Sequence, residues 1–397
     1  MKKNILLACG LVFCVGVKAQ SSVTLYGAID TALIYTVNQQ TIGSGGKPGS
    51  GAAVQMGYVG QGPSKFGLTG SEDLGGGKSA IFKLENYFFP GSGQLLQPNT
   101  LFNSAAYVGL AAKGVGTVSI GRQTDSSSDA LAPFASSNLW ATSYGSHFGD
   151  IDNLNQAFTL NNSLKFSSDD WNGIKIAGSY SFGGVSGSFT ENSGYSAGIS
   201  YSGGPFSFGM GYLAVRSPLQ SSLGGESAYI GDASCTNPTA LYCELQNAES
   251  IQVLGVGGSF TSGSITVGGT YTHTVLKNSS FSAPGEETGA NVTLDIVEGN
   301  VLYMLAPDLG LGAAYIFNEV RPSGTSATRL HQINLGVTYS LSKRTAIYLV
   351  GIGQISTGHG LGTSAEGEPA NYAQIPILGN SASNRQATLI GGLRTSF

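Results

Sequence analysis

Along most of the chain apolar and polar residues alternate one by one, a period of two that puts the two kinds on opposite faces of a β-strand. Near the start, Val23, Leu25, Gly27, Ile29, Thr31 and Leu33 share one face, while Thr24, Tyr26, Ala28, Asp30 and Ala32 share the other. Counting back from the end, Phe397, Thr395, Leu393, Gly391, Leu389 and Ala387 oppose Ser396, Arg394, Gly392, Thr388 and Gln386, with Ile390 out of phase. Ala80, Phe82 and Leu84 oppose Lys83 and Glu85, and Leu164 and Phe166 oppose Ser163 and Lys165. These runs last about ten residues, long for globular strands and suited to a tilted bilayer crossing. One face suits lipid and the other, rich in Ser, Thr, Lys and Asp, suits water, which separates a membrane barrel from a sandwich with a dry core.

The connections alternate in length. Short turns rich in Gly, Asp, Asn and Pro fall at 72–77, 112–115, 168–173, 203–205, 262–263, 306–308 and 342–343. Long irregular segments fall between them, at 38–63, 88–103, 124–160, 183–195, 217–249, 276–287, 319–328 and 356–383. Seven turns and eight loops join about sixteen antiparallel strands, with short turns on one rim, long loops on the other and both chain ends at the short-turn rim. The expectation is an all-β, sixteen-stranded transmembrane barrel over 20–397, one domain without a linker.

Composition excludes the main rivals. Only 11% of the 397 residues are charged, against about 25% in soluble domains, and 41% are hydrophobic, too many for a disordered chain. After the first twenty positions no run of about twenty apolar residues remains to form a membrane helix. The first nineteen residues read as a cleaved secretory leader: Lys2 and Lys3, an apolar core from Ile5 to Val17, and a small-residue site ending at Ala19. An uncleaved anchor would need a longer apolar run, and a lipoprotein site at Cys9 has too little apolar sequence before it. Cleavage removes three lysines and no acid, moving the net charge from −4 to −7. That acidity, without a basic run, argues against a nucleic-acid partner. Cys235 and Cys243 remain, close together in a polar loop of an exported chain, and suggest a disulfide; no His lies nearby to favour a metal.

Enzyme signals are weak. Gly194-Tyr195-Ser196-Ala197-Gly198 matches the nucleophile-elbow pattern, but an alternating strand follows where a helix is required. Gly77-Lys78-Ser79 resembles the end of a phosphate-binding loop, yet Glu72 stands where its first Gly belongs. His147, His273, His331 and His359 are dispersed, so neither a metal nor another cofactor is expected.

Several segments in order resemble the trimeric outer-membrane porins of β-proteobacteria. They are Ser22-Val23-Thr24-Leu25-Tyr26-Gly27, the stretch from Lys65 through Glu72-Asp73-Leu74 to Gly77, Ala106-Tyr107-Val108-Gly109-Leu110, and Gly116 through Gly121-Arg122-Gln123. Leu341-Ser342-Lys343-Arg344-Thr345 and the terminal Gly392-Leu393-Arg394 with Phe397 complete the set. The resemblance implies a homotrimer in the Gram-negative outer membrane, surrounded by lipid and lipopolysaccharide, passing small hydrophilic solutes and ions passively. It also implies that the third long loop, here 124–160, folds into the bore and narrows it. Asp125, Asp129, Asp150 and Asp152 are then candidate constriction acids, set against Lys65, Lys83, Lys165 and Arg122. The alternatives are that Lys83 and Glu85 pair along the wall and that the loop acids are simply solvated. Phe397 resembles the terminal signal read by the barrel-assembly machinery.

This chain departs from the family at the basic wall, with Lys at 65 and 165 and Ser at 104 where Arg is usual. It also reads Arg122-Gln123-Thr124-Asp125-Ser126, where the family tends to have Tyr after Gln and Pro after Asp. Arg and Lys are not equivalent donors, so the ion sign stays open. Asp30 faces the expected lumen, where hydration suffices for it. Tyr26, Tyr35, Tyr107, Tyr180 and Tyr201 fit interfacial girdles or a trimer seam, and Trp140 fits as packing between loop and wall.

Overall fold

The structure is a computed structural model that describes residues 22–42, 48–57, 59–97, 99–156, 158–217, 248–279, 289–358 and 371–397. The leader, Cys235, Cys243 and His359 lie outside the described residues. The strands are β1 (Ser22–Ile42), β2 (Pro48–Gly57), β3 (Lys65–Gly75), β4 (Lys78–Tyr87), β5 (Ala105–Ala112), β6 (Gly116–Gln123), β7 (Leu160–Ser168) and β8 (Ile174–Ser181). They continue as β9 (Gly194–Gly203), β10 (Phe206–Arg216), β11 (Ser250–Ser262), β12 (Ile265–Lys277), β13 (Val292–Ala306) and β14 (Leu309–Pro322). β15 (Thr328–Ser340), β16 (Thr345–Gly358) and β17 (Arg385–Ser396) complete the wall, and helices α1 (Ser126–Leu131) and α2 (Ser136–Leu139) lie in the third loop.

β1 is the longest strand because it serves two partners on one edge. Its second half pairs with β2, from Ala32↔Gly57 to Ile42↔Pro48, and its first half with β3, from Ser22↔Ser71 to Ala28↔Lys65. β2 and β3 are therefore one barrel strand broken between Gly57 and Lys65, and the described segments make a closed barrel of sixteen antiparallel strands. On its other edge β1 pairs with β17, and Gly27 and Phe397 exchange both backbone hydrogen bonds at 3.0 and 3.1 Å. Closure leaves no unpaired edge to face hydrocarbon. The seven short turns fall where the sequence places them, with both described ends at their rim. The first long loop is shorter than expected, since β1 runs to Ile42 and β2 begins at Pro48.

The outer face is apolar, as the alternation requires: Val23, Leu25, Leu33, Val108, Leu110 and Ile120 are more than half exposed. Aromatic residues flank this band. Tyr201, Phe206, Phe260, Tyr303 and Tyr339 lie toward the short-turn rim; Tyr35, Tyr195 and the packed rings of Tyr180, Phe182 and Phe189 lie toward the other. Tyr26 and Tyr107 correct the girdle expectation. Both point inward, in register with Gly67 and Lys83, and the Tyr26 hydroxyl donates to Glu85 at 2.9 Å.

The inner face also differs from the expectation of a uniformly wet surface. Toward the long-loop rim it carries Ile34, Val215, Val253, Leu294, Ile352 and Ile390, buried against Tyr144, Phe148 and Ile151 of the third loop and Ile375 and Leu378 of the last. This second core explains why Ile390 breaks the alternation of β17. At the same level the outward positions of β12–β15 become polar. His273 Nδ1 lies 2.8 Å from Asp295, and Glu319 accepts from Arg321 and, at 2.8 Å, from Arg329. These strands run to 13–15 residues, long enough for their upper ends to stand above an apolar band about 25 Å tall.

Val108 lies midway along β5 on the outer face. Val108→Arg is expected to lower the stability of the barrel refolded into phospholipid bilayers by about 2–4 kcal/mol. Equilibrium denaturant titration measures it, and an unchanged midpoint would place this face outside hydrocarbon.

Candidate functional site: the inward loop and the wall that faces it

The described residues of 124–160 are almost wholly buried inside the barrel. Their seat is built from two kinds of wall residue. The first is glycine: Gly198, Gly211 and Gly255 are direct register partners across β9, β10 and β11. A Cβ at any of them would strike α1, at Ser126, Ser127 or Leu131 respectively. Gly312 and Gly336, paired across β14 and β15, form the slot that holds the Trp140 ring, which packs the loop to the wall. The second kind is polar. Asn300 Nδ2 donates to the Phe134 carbonyl at 2.8 Å, Asn334 Nδ2 to the Gly145 carbonyl at 2.8 Å, and Asn318 Oδ1 accepts from the Phe148 amide at 3.0 Å. Irregular chain enclosed in a barrel needs such partners, because a buried amide or carbonyl left alone costs about 1–3 kcal/mol.

The loop acids divide by role. Asp125 is the N-cap of α1: its carboxylate accepts from the amides of Ser127 and Ser128 at 2.8 and 2.9 Å and from Asn153 Nδ2 at 2.8 Å. Asp150, buried in a left-handed conformation, accepts from the Asn155 amide at 2.8 Å. Asp152 accepts from Thr272 Oγ1 at 2.7 Å and lies 2.6 Å from His147 Nδ1, whose Nε2 is 3.1 Å from Glu298 of β13. Glu298 also accepts from the Ser136 amide at 2.6 Å. Burial by itself would depress His147, but the carboxylates of Asp152 and Glu298 outweigh it and hold the imidazole up at about 10. Asp152 is likewise penalised by burial, yet the imidazolium beside it keeps its carboxyl below the usual range. The contact of His147 with Glu298 is one that spacing does not reveal, since they lie 151 positions apart.

Of the four loop acids only Asp129 meets open space, with 41% of its side chain exposed, and it pairs with Lys165, which also donates to the Thr124 carbonyl at 2.8 Å. Beyond it stand Lys65 and Lys83, whose Nζ atoms lie 3.2 and 3.4 Å from Glu85. Glu85 is 3% exposed and also accepts from Tyr26 and, at 2.6 Å, from Ser104 Oγ. Asp30 is fully buried rather than hydrated: it accepts from Tyr348 at 2.6 Å and pairs with Arg394 at 3.2 Å. Arg122 takes the outward register of Ile120 and donates to Asn103, Asn161 and Gln97 at the long-loop rim, away from the lumen. Ser196, from the elbow-like motif, is also occupied: its hydroxyl accepts from the Ser126 amide at 2.7 Å and bonds Ser179 at 2.6 Å.

A closed barrel with an apolar outer band and polar and charged side chains on its inner face suits passage across a membrane. The sequence pattern of the Gram-negative porins matches residues 6–359. The chain belongs to the Gram-negative porin family. This porin is 29% identical over 353 residues to outer membrane porin protein 32 of Delftia acidovorans, covering 88% of each chain. It is 25% identical over 387 residues to an outer membrane porin protein of Bordetella pertussis, covering 88% of this chain and 94% of that one. Among solved structures, the anion-selective porin from Comamonas acidovorans superimposes with a TM-score of 0.69 at 21% identity, over 95% of this chain and 100% of that one. OmpT of Vibrio cholerae gives 0.62 at 14% identity, over 95% and 98%. The porin is an outer-membrane channel, not an enzyme.

The buried His147 pair predicts a pH window for the loop. The contribution of His147 is complete below its unfolded value of about 6.5 and is lost as pH rises through about 10. The contribution of Asp152 is complete above about 3.9 and is lost as pH falls through its lowered value. Single-channel recordings are therefore expected to be quiet between these limits and to show added closures above pH about 10. His147→Ala, which leaves Asp152 and Glu298 facing each other at a local cost of about 3–5 kcal/mol, is expected to bring those closures to neutral pH. Quiet traces from that variant would show that the bridge from His147 to Asp152 and Glu298 does not hold the loop.

Proposed function

We propose that this porin forms a trimeric general diffusion pore whose neck favours small anions. The single observation that carries the ion sign is an asymmetry of exposure. The side chains of Lys65, Lys83 and Arg394 are 28%, 33% and 25% exposed, while their partners Glu85 and Asp30 are 3% and 0% exposed. A solute in the bore meets the cations, and the acids stand behind them. Asp129 is the exception, and Lys165 neutralises it. No bond is made or broken in such a channel. The solute follows its gradient, and the fixed charges bias which ions enter the narrow part.

In this reading Lys65, Lys83 and Asp129 border the constriction, Lys165 anchors its loop, Asp125, Asp150 and Asp152 hold that loop in shape, and Arg122 serves the rim. Residues 1–19 are the cleaved leader, Cys235 and Cys243 form a loop disulfide, and Phe397, outward and half exposed at the barrel seam, is the assembly signal. The polar outward ends of β12–β15 sit at the level where lipopolysaccharide headgroups would meet them.

Lys65→Gln with Lys83→Gln leaves Glu85 uncompensated and is expected to move the reversal potential in a salt gradient toward cations. An unchanged potential would remove both lysines from the neck. The anion preference of the parent should also fade between 0.1 and 1 M salt, as the screening length falls from about 10 to about 3 Å. Openings in steps of three in planar bilayers test the trimer.

A further inference from the structure

The break between β2 and β3 is longer than the barrel requires. On β1 only Ile29, Asp30 and Thr31 separate the last pairing with β2 at Ala32 from the first with β3 at Ala28. On the opposite strand seven residues, 58–64, separate Gly57 from Lys65. Four residues are therefore in excess and must leave the plane of the wall.

They go inward. Gln61 Nε2 donates to Thr338 Oγ1 of β15 at 2.5 Å, although β1, β17 and β16 lie between the break and β15. The Asp30 amide donates to Ser64 Oγ at 2.9 Å, and the buried Asp30 carboxylate accepts the Gln61 amide. Gly60 lies so close to Tyr348 and Asp30 that a Cβ would collide with both, and at Gly62 a Cβ would come within 2.7 Å of Arg394 Nη1. The Ser143 amide of the third loop donates to the Gly60 carbonyl at 3.1 Å, joining the two inward segments. Val59, Gly60 and Ser64 are buried, while Gln61, Gly62 and Pro63 keep one side toward water.

We infer that residues 59–64 form a strap across the inside of the barrel, a second jaw that limits the bore together with loop 124–160. The strap is fixed at both ends and at its middle: Ser64 on Asp30, Gly60 under Tyr348 and against Ser143, Gln61 on Thr338. It covers the sector from β1 to β15, so the water path runs between its exposed edge and the wall that carries Lys65 and Lys83. Its effect is on size before charge, which separates it from the anion preference proposed above.

Two experiments test the strap in the full-length channel. Gln61→Cys, treated from either side of a planar bilayer with a bulky methanethiosulfonate, is expected to lose current in steps that a reductant reverses, with the parent under the same reagent as baseline. Deleting residues 60–63, which leaves three residues opposite three, is expected to raise single-channel conductance and admit larger neutral sugars in liposome swelling. A cysteine at 61 that resists labelling, or that labels without loss of current, would overturn the strap. So would a folded deletion variant with the parent's conductance and sugar limit. Neutral sugars do not report charge, so either failure leaves the ion-selectivity result standing.

Discussion

Irregular chain enclosed in a barrel cannot count on water for its amides and carbonyls, and the rest of this structure follows from how that demand is met. The wall supplies side-chain partners at Asn300, Asn318, Gln332, Asn334 and Glu298, each bonded to backbone or side chain of the third loop. It supplies space at Gly198, Gly211 and Gly255, where the wall backbone itself makes contact. The loop adds its own economy through the Asp125 cap and the Asn153 amide that ties it to Asp125 and to the Phe158 carbonyl. What looks like a hydrated inner face in the sequence is, toward the long-loop rim, an interface between two layers of one protein.

The same division of labour governs charge. Lysines at 65 and 83 share a single buried carboxylate, and Ser104, where the family tends to place Arg, spends its hydroxyl on that carboxylate rather than adding a third cation. Burying the single acid and leaving the two amines nearer the surface leaves this set with one net positive charge on the bore side. The screening that water and salt impose on exposed groups acts on the amines more than on the carboxylate beneath them.

Local signals were the ones legible in the sequence. The turns at 75–78, 203–206 and 262–265 need only Gly and polar residues at fixed places, and the strands beside them need only alternation. The third loop could be located, since it is the longest interruption before β7, and Trp140 could be read as packing. Its acids could not be sorted, because Asp125, Asp129, Asp150 and Asp152 differ only in what the fold brings beside them. Glu298 sits on a regular strand and looks like any inward polar residue until His147 arrives from the loop. The strap is hidden for a related reason: four surplus residues are invisible until the registers of β1 with β2 and with β3 are both known.

The seam between β1 and β17 ends with Gly27 and Phe397 bonded backbone to backbone, so the cylinder is closed by residues 370 positions apart. Until β17 docks, β1 and β16 each keep a raw flank of unsatisfied amides along their length. Such contacts between the two extremes of the chain are entropically slow to form and prone to misassociation while they wait. With those flanks bare, a partly built sheet cannot lie in hydrocarbon, so closing the cylinder and entering the bilayer have to proceed together.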